Sequence, residues 1–202
     1  MTERPSPDDI LATYERQAEG YAAHRATVLF ERPWLDRLRA AMPGDRLLDV
    51  GCGPGVPLAR AMAEAGCRVT GVDGAAAMVR LFRQNMPGHR AVVADMRTMA
   101  LGERFDGILA FDSFFHLTPD DQHAALARFA DHAAPGAALL FTSGPEAGEA
   151  YGTVEGEAVY HASLSPEEYR TALAALAFEV LGFWPEDPAC DFHTLWLARM
   201  AR

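Results

Sequence analysis

The sequence predicts an α/β fold with a doubly wound, mostly parallel sheet, and three observations support this fold class. Apolar runs typical of buried strands alternate along the chain with segments of helical periodicity. The first of these runs, Leu47 to Val50, passes directly into a glycine-rich turn. Acidic residues stand at or just after the ends of four successive runs. Alternation of strand and helix favours parallel strands joined by right-handed crossovers, which produces a doubly wound sheet.

The turn after the first strand carries three glycines, Gly51, Gly53 and Gly55, each separated from the next by one residue. Glycine lets a backbone bend sharply and approach a ligand closely, because it has no Cβ. The helix that follows is expected to present its amino-terminal amides, which carry partial positive charge, to that ligand. The spacing differs from the dinucleotide fingerprint G-x-G-x-x-G, which requires glycine where this chain has Val56. The turn therefore indicates a nucleotide-like cofactor.

The remaining elements are predicted from periodicity, turn residues and helix caps. A hydroxyl residue followed by proline and two acids marks three helix starts, at Ser6, Thr118 and Ser165. Segment 144–161, rich in glycine and glutamate, is expected to leave the sheet and rise above it. The predicted strands are 47–50, 68–72, 91–94, 105–111, 137–142, 178–184 and 194–200, and the predicted helices are 7–23, 28–41, 56–65, 75–85, 119–133 and one that begins at 166.

These elements are expected to form a single domain that covers residues 1–202. The last two strands form a hairpin through the turn at 185–191, so the sheet has seven strands and an antiparallel carboxyl-terminal strand. The helices within residues 1–43 precede the first strand. We therefore predict that they form a helical cap over the strand ends, and that residues 44–202 form the α/β core.

Charge and cysteine content restrict the partners and the compartment. The formal net charge of −10 repels a phosphate backbone, which argues against nucleic-acid binding. Three cysteines, Cys52, Cys67 and Cys190, indicate a reducing compartment without a disulfide framework. The interval from Cys190 to His193 suits a metal motif but has no second pair, so no metal site is predicted. The sequence shows neither a signal peptide nor a membrane-spanning stretch, and we predict a cytoplasmic protein without a membrane partner.

Four aspartates mark the carboxyl ends of the first four strands: Asp49, Asp73, Asp95 and Asp112. In an open α/β sheet this edge is where ligands bind. A single acid there often caps a helix, whereas one acid per strand at a common edge indicates a shared binding site. Asp73 lies 22 residues after Gly51, at the position where an acid holds ribose hydroxyls in nucleotide sites. The aspartates therefore predict a ligand that carries a nucleoside.

The pattern D-x-G-x-G-x-G that begins at Asp49 resembles motif I of the class I S-adenosylmethionine (SAM) dependent methyltransferases of small-molecule type. In such enzymes a helix of the pattern Y-x-x-x-A-x-x-Y-x-x-x-R lies over the cofactor, and Tyr14, Ala18, Tyr21 and Arg25 match it. The resemblance covers nearly the whole chain and implies a Rossmann-like sheet, SAM as cofactor and methyl transfer to a small molecule. Tyr21 and Arg25 are then expected to reach the SAM carboxylate. Tyr14 and Tyr21 are seven residues apart on one face of the helix, so packing in the core explains them as well as contact with the cofactor does.

The resemblance also implies roles for individual residues. Asp73 accepts both ribose hydroxyl hydrogens, Asp95 accepts from the adenine amino group, and the Met96 amide donates to a ring nitrogen. Asp112 lies close to the point of methyl transfer. The predicted cofactor-binding residues are Tyr21, Arg25, Asp49, Gly51, Cys52, Gly53, Gly55, Asp73, Gly74, Met78, Asp95, Met96, Phe111 and Asp112.

The sulfonium of SAM already activates its methyl group, so the protein mainly aligns the acceptor and excludes water. An acceptor hydroxyl or amine also loses a proton. His116 is the predicted general base, because it follows the fourth strand and histidine titrates near neutrality. His161 is a candidate for the acceptor pocket. Two other functions stay open: a SAM-binding protein that transfers no methyl group, and a nicotinamide-dependent oxidoreductase, which the glycine spacing and the terminal hairpin oppose.

Overall fold

The computed structural model describes residues 5–25 and 28–202. Its strands are β1 (Arg46–Val50), β2 (Arg68–Asp73), β3 (Arg90–Val93), β4 (Phe105–Ala110), β5 (Ala133–Ser143), β6 (Gly148–Val154), β7 (Glu157–Ser163), β8 (Phe178–Asp187) and β9 (His193–Met200). Seven of them form one sheet in the order β3-β2-β1-β4-β5-β9-β8. Strands β1 to β5 pair in parallel, and β9 runs antiparallel between β5 and β8. The predicted doubly wound, seven-stranded sheet with an antiparallel carboxyl-terminal strand is confirmed.

Helices cover both faces of this sheet. They are α1 (Ile10–His24), α2 (Arg32–Ala41), α3 (Leu58–Glu64), α4 (Ala76–Asn85), α5 (Pro119–His132) and α6 (Pro166–Ala175). Leu38 of α2 packs with α3 and α4 in one apolar layer, and Phe129 of α5 packs with Tyr169 of α6 in the other. The neighbouring residues Leu47 and Leu48 of β1 enter opposite layers. A strand buried on both faces is expected to be apolar throughout, which explains the continuous apolar run in the sequence.

The two helices predicted as a cap differ in position. Helix α1 lies over the carboxyl ends of the strands and contacts α4, β6 and β7. Helix α2 instead packs against α3 and β5, and buries Trp34, Leu35 and Leu38 in the core. Leu35 and Leu38 follow Trp34 by one and four positions, which is the spacing of an apolar stripe on a helix that packs against a sheet. Helix α2 therefore belongs to the α/β core rather than to the predicted cap.

A hairpin of β6 and β7 forms a small second sheet that stands above the main one, as predicted for segment 144–161. Glu157 of this hairpin accepts hydrogen bonds from Arg16 at 2.6 Å and from Gln17 at 2.5 Å, both on α1. Ile10 of α1 and Val159 of β7 share a small apolar cluster. Helix α1 and the hairpin therefore form one continuous roof over the carboxyl edge of the sheet.

The three predicted helix starts are confirmed. The side chain of Ser6 accepts a backbone N–H of the 3₁₀ turn Pro7–Asp9, which leads into α1, and the side chains of Thr118 and Ser165 each accept a backbone N–H of the first turn of α5 and α6. At α6, Glu168 completes a reciprocal capping box with Ser165. These caps satisfy amides that have no partner inside the helix, which is why this sequence pattern sets the helix starts so reliably.

Candidate functional site

A deep cleft of about 1030 Å³ lies at the carboxyl ends of β1 to β4, beneath α1. It brings together residues from between Pro7 and Asp121. The predicted site residues that line it are Tyr21, Arg25, Gly51, Cys52, Gly53, Asp73, Gly74, Met78, Asp95, Met96, Phe111, Asp112 and His116. Asp49 and Gly55 instead lie behind its wall. An added Cβ at Gly55 would approach Phe82 to 2.7 Å, so this glycine allows close packing within the protein.

The glycine turn forms one wall of the cleft. Gly51 has a φ of +71°, and an added Cβ would fall 2.6 Å from the Ser113 Oγ. Both the backbone conformation and the lack of space therefore require glycine there. The amides of Gly51 and Cys52 donate to the Val72 carbonyl at 2.7 and 3.0 Å. These two amides hold the turn against β2, and residues 51–53 of the turn all line the cleft.

Asp73 connects the glycine turn with the start of the next helix. Its Oδ2 accepts the Gly53 N–H at 3.0 Å, and its Oδ1 accepts the Ala75 N–H at 2.9 Å. Burial raises the pKa of Asp73, although these two hydrogen bonds act in the opposite direction. Each carboxylate oxygen has a second lone pair, so both oxygens can still accept from a ligand in the cleft. This arrangement suits an acid that holds two neighbouring hydroxyl groups.

Asp49 is enclosed behind the cleft and is 5% exposed. Burial, and then the negative charge of Asp73, raises the pKa of Asp49 to about 7. Asp49 was predicted to contact the ligand, but it does not line the cleft. Its position on β1 directs the carboxyl group into the protein instead. Its influence on the site is therefore electrostatic.

We expect Asp49→Asn to flatten the pH dependence of stability. A carboxyl group whose pKa rises from about 4 in the unfolded chain to about 7 in the folded chain takes up a proton on folding between these pH values. Its contribution to stability is present below pH 4 and is lost as pH rises through 7. Between about pH 5 and about pH 8 the loss amounts to roughly 2–3 kcal/mol. Urea unfolding at both pH values measures it, and an equal loss in the variant and the unmodified protein would contradict this account.

Asp95 forms an ion pair that the sequence did not predict. The Arg97 backbone N–H and guanidinium both donate to the Asp95 carboxylate, at 2.8 and 2.6 Å. Arg97 also donates to Asp121 at 3.1 Å. The hydrogen bonds from Arg97 hold the pKa of Asp95 below its usual value. Asp95 therefore reaches the cleft as part of a fixed pair, and the acceptor role predicted for it depends on the lone pairs that Arg97 leaves free. The spacing of Asp95 and Arg97, an acid and an arginine separated by one residue, was the feature of the sequence that could have predicted this ion pair.

His116 is 6% exposed and uses both ring nitrogens within the protein. Its Nδ1 lies 2.9 Å from the Tyr160 carbonyl oxygen, which can only accept, so Nδ1 carries the proton. The Tyr14 hydroxyl lies 2.9 Å from Nε2 and therefore donates to it. Burial lowers the pKa of His116 to about 4. His116 is thus a neutral ring that fixes Tyr14, and Tyr14 in turn lines the cleft.

Arg25 lines the cleft at the end of α1 while its guanidinium pairs with Glu31, whose side chain is fully buried. Burial alone would lower the pKa of Arg25, but the hydrogen bond and the charge of Glu31 raise it above its usual value. Arg25 is therefore a permanent cation at the wall. A guanidinium has five N–H donors, so the pair with Glu31 leaves donors for the ligand carboxylate that the sequence predicted.

Comparison with known proteins identifies the family. Residues 47–136 match the family model described as a methyltransferase domain. A malonyl-[acyl-carrier protein] O-methyltransferase from Serratia marcescens is 32% identical over 177 residues, which cover 85% of this chain and 69% of that protein. This chain belongs to the class I SAM-dependent methyltransferases. Its cofactor is SAM, and the predicted SAM-dependent methyl transfer is confirmed over the two alternatives that the sequence left open.

Other relatives of this methyltransferase act at different atoms. A dTDP-4-amino-2,3,4,6-tetradeoxy-D-glucose N,N-dimethyltransferase from Saccharopolyspora spinosa is 35% identical over 137 residues, which cover 65% of this chain and 52% of that protein. The structure of a SAM-bound amino pentose methyltransferase from Micromonospora echinaspora superimposes with a TM-score of 0.71 at 24% identity, over 92% of this chain and 96% of that one. The structural likeness shows the shared fold.

The methyltransferase has a second chamber of about 890 Å³ beside the SAM cleft. Tyr14, Tyr21, Asp112 and His116 line both spaces and form the wall between them. The other walls come from the turn after β4, the segment after β5, the roof hairpin and the turn before β9. Their apolar members are Phe115, Pro145, Val154, Val159 and Phe192, and their imidazoles are His161 and His193.

Asp112 is fixed at this wall by an ion pair with His193 of the methyltransferase. Its backbone has a φ of +49°, an unusual conformation for a residue other than glycine. The His193 Nε2 lies 3.0 Å from Asp112 Oδ1, and the His193 Nδ1 lies 2.7 Å from the Cys190 carbonyl oxygen. Burial would lower the pKa of His193, but Asp112 outweighs it and raises the pKa to about 9. His193 is therefore an imidazolium at neutral pH, and sequence analysis missed it because its partner lies 81 residues away.

Proposed function

We propose that SAM lies in the cleft with its ribose on Asp73 and its methyl group directed past Asp112 into the second chamber, where a small-molecule acceptor binds. The wall shared by the two spaces is the observation that carries this proposal. An in-line displacement needs the acceptor atom and the leaving sulfur on opposite sides of the methyl carbon. Two adjoining spaces that share a wall provide that alignment, with the leaving sulfur on one side of the wall and the acceptor on the other.

The acceptor is proposed to carry a hydroxyl, carboxyl or amino group, in line with the O- and N-methyltransferases among the relatives. Incubation of the protein with methyl-labelled SAM and a pool of small metabolites tests this proposal. The expected result is label in a low-molecular-weight product, in an amount equal to the demethylated cofactor formed. Label found instead in protein or nucleic acid would contradict it.

His116 was predicted as the general base, and the structure gives a reason to revise that role. Its Nε2 lone pair is occupied by the Tyr14 hydroxyl, and burial lowers the pKa of His116 to about 4. We propose that His116 positions Tyr14 at the boundary between the cleft and the second chamber. Tyr14 and Tyr21, which fitted either core or cofactor contact in the sequence, then both serve the site.

We expect His116→Asn to lower turnover by about 10- to 100-fold. The asparagine amide can still donate to the Tyr160 carbonyl, but the shorter side chain has no atom at the position of Nε2, so the Tyr14 hydroxyl loses its acceptor. The SAM affinity, measured by calorimetry, is expected to change by less than about threefold, because no His116 nitrogen is free for the cofactor. Tyr14→Phe removes the same hydrogen bond from the other side, so the double variant should be no slower than the slower single variant. Additive effects would contradict the positioning role.

The organisation of the chain and its environment are proposed on the same basis. We propose one domain over residues 1–202 and a cytoplasmic location, which is supported by three buried cysteines that form no disulfide. Across the two described segments, none of the helices is long and apolar enough to cross a membrane.

A further inference from the structure

Three imidazole rings surround the second chamber, and they differ in what their nitrogens do. His116 and His193 each use both ring nitrogens in hydrogen bonds with the protein. Across residues 5–25 and 28–202, neither nitrogen of His161 has a hydrogen-bond partner. His161 is half-buried and lines the chamber, so it is the ring of the three whose lone pair is available to a molecule bound there.

The position of His161 is fixed by its neighbours. It lies on β7 opposite Ala150 of β6. Its ring centroid is 4.8 Å from that of His116 and 4.7 Å from that of Phe115. On the hairpin the ring lies against Gly152, where an added Cβ would fall 2.6 Å from the His161 Cε1. Packing therefore holds the ring in place without using its nitrogens.

We infer that His161 is the general base that takes the proton from the acceptor during methyl transfer. The inference rests on the proposed use of the second chamber as the acceptor site. A lone pair of the acceptor atom forms the new bond to the methyl carbon while the S–CH₃ bond breaks. That electron pair stays on sulfur and gives the neutral thioether of S-adenosylhomocysteine. The acceptor proton passes to a ring nitrogen of His161, which becomes an imidazolium.

The surroundings of His161 suit a base that must be neutral before the reaction. Burial lowers the pKa of His161, and the nearby Asp112 carboxylate opposes this shift. The other titratable side chains that line the chamber are the neutral ring of His116, the imidazolium of His193, which is already paired with Asp112, the acids Glu186 and Asp191, and the phenols Tyr14 and Tyr21. His161 also lines a separate surface cavity beside Glu146 and Glu149. The proton can leave through that cavity to solvent, which returns His161 to its neutral form.

Two matched acceptors test the inference: phenol, which is protonated at about pH 8, and thiophenol, which is already an anion at that pH. The apolar walls of the chamber suit an aryl ring. We expect His161→Gln to slow phenol methylation about 100-fold or more, because phenol needs a base. Thiophenol methylation is expected to stay within about threefold, because thiophenolate needs none. His123→Gln replaces an exposed histidine on α5 and should leave both rates unchanged.

A second variant keeps the test independent of any distortion by glutamine. In His161→Ala, added imidazole should restore phenol methylation by filling the space that the ring leaves. Equal slowing of phenol and thiophenol, or no rescue by imidazole, would assign His161 a purely structural role and overturn the inference. If the unmodified protein binds SAM but methylates neither compound, the assignment of the chamber as the acceptor site fails, and the inference fails with it.

Discussion

Replacing Asp73 by alanine is expected to weaken SAM binding by about 3 kcal/mol, or somewhat more than a hundredfold in Kd. Two effects combine to make this loss large. The proposed ribose hydroxyls lose a charged acceptor, and the Gly53 and Ala75 amides lose the hydrogen bonds that now fix the glycine turn. A ligand hydroxyl left without a partner in a partly buried site costs more than the hydrogen bond itself contributed.

Calorimetric titration with SAM measures this change directly. Asp45→Ala is the matched control, because Asp45 pairs with Arg68 at the exposed opposite edge of the sheet. Its removal should leave the SAM affinity unchanged within about twofold. An unchanged affinity in Asp73→Ala would show that the ribose does not lie on Asp73.

Gly51→Ala is expected to lower the free energy of unfolding by about 2–5 kcal/mol and to abolish SAM binding at ordinary concentrations. The left-handed backbone at Gly51 costs an alanine about 1–2 kcal/mol. The added methyl group also has no space, because Ser113 lies directly against this position and is held there by a hydrogen bond to the Val50 carbonyl. The turn can accommodate the methyl group only by moving away from β4.

Gly66→Ala separates these two causes. Gly66 has a φ of +87°, but an added Cβ there meets no described atom within 4 Å. It should therefore lose only the conformational part, about 1–2 kcal/mol, and keep its SAM affinity. Urea unfolding of both variants measures the difference. Equal losses of stability would show that contact with Ser113 does not restrict the turn.

The parts of the site that follow from local chain features were predictable from the sequence. The glycine turn and each helix cap depend on residues within a few positions of one another. Each aspartate follows directly from its own strand, because a buried parallel strand fixes where its terminal acid lies. Asp73 is the clearest case, because its strand ends at the sheet edge and its carboxylate meets the adjacent turn. Even here the sequence could not show that Asp49 faces inward while Asp73 faces the cleft.

The pairs that define the second chamber could not be predicted in this way. Tyr14 and His116 are 102 residues apart, and Asp112 and His193 are 81 residues apart. Their contact depends on how α1 lies over the sheet and on how the start of β9 approaches the turn after β4, which no single segment encodes. The placement of α2 was wrong for a related reason: an apolar stripe shows that a helix is buried but not which surface buries it.

The most direct test of the whole account is a crystal structure of the protein with S-adenosylhomocysteine. We expect the ribose hydroxyls within hydrogen-bonding distance of Asp73, the carboxylate near Arg25, and the sulfur at the boundary between the cleft and the second chamber, beside Asp112. A ligand bound with its sulfur away from that boundary, or outside the cleft, would contradict it.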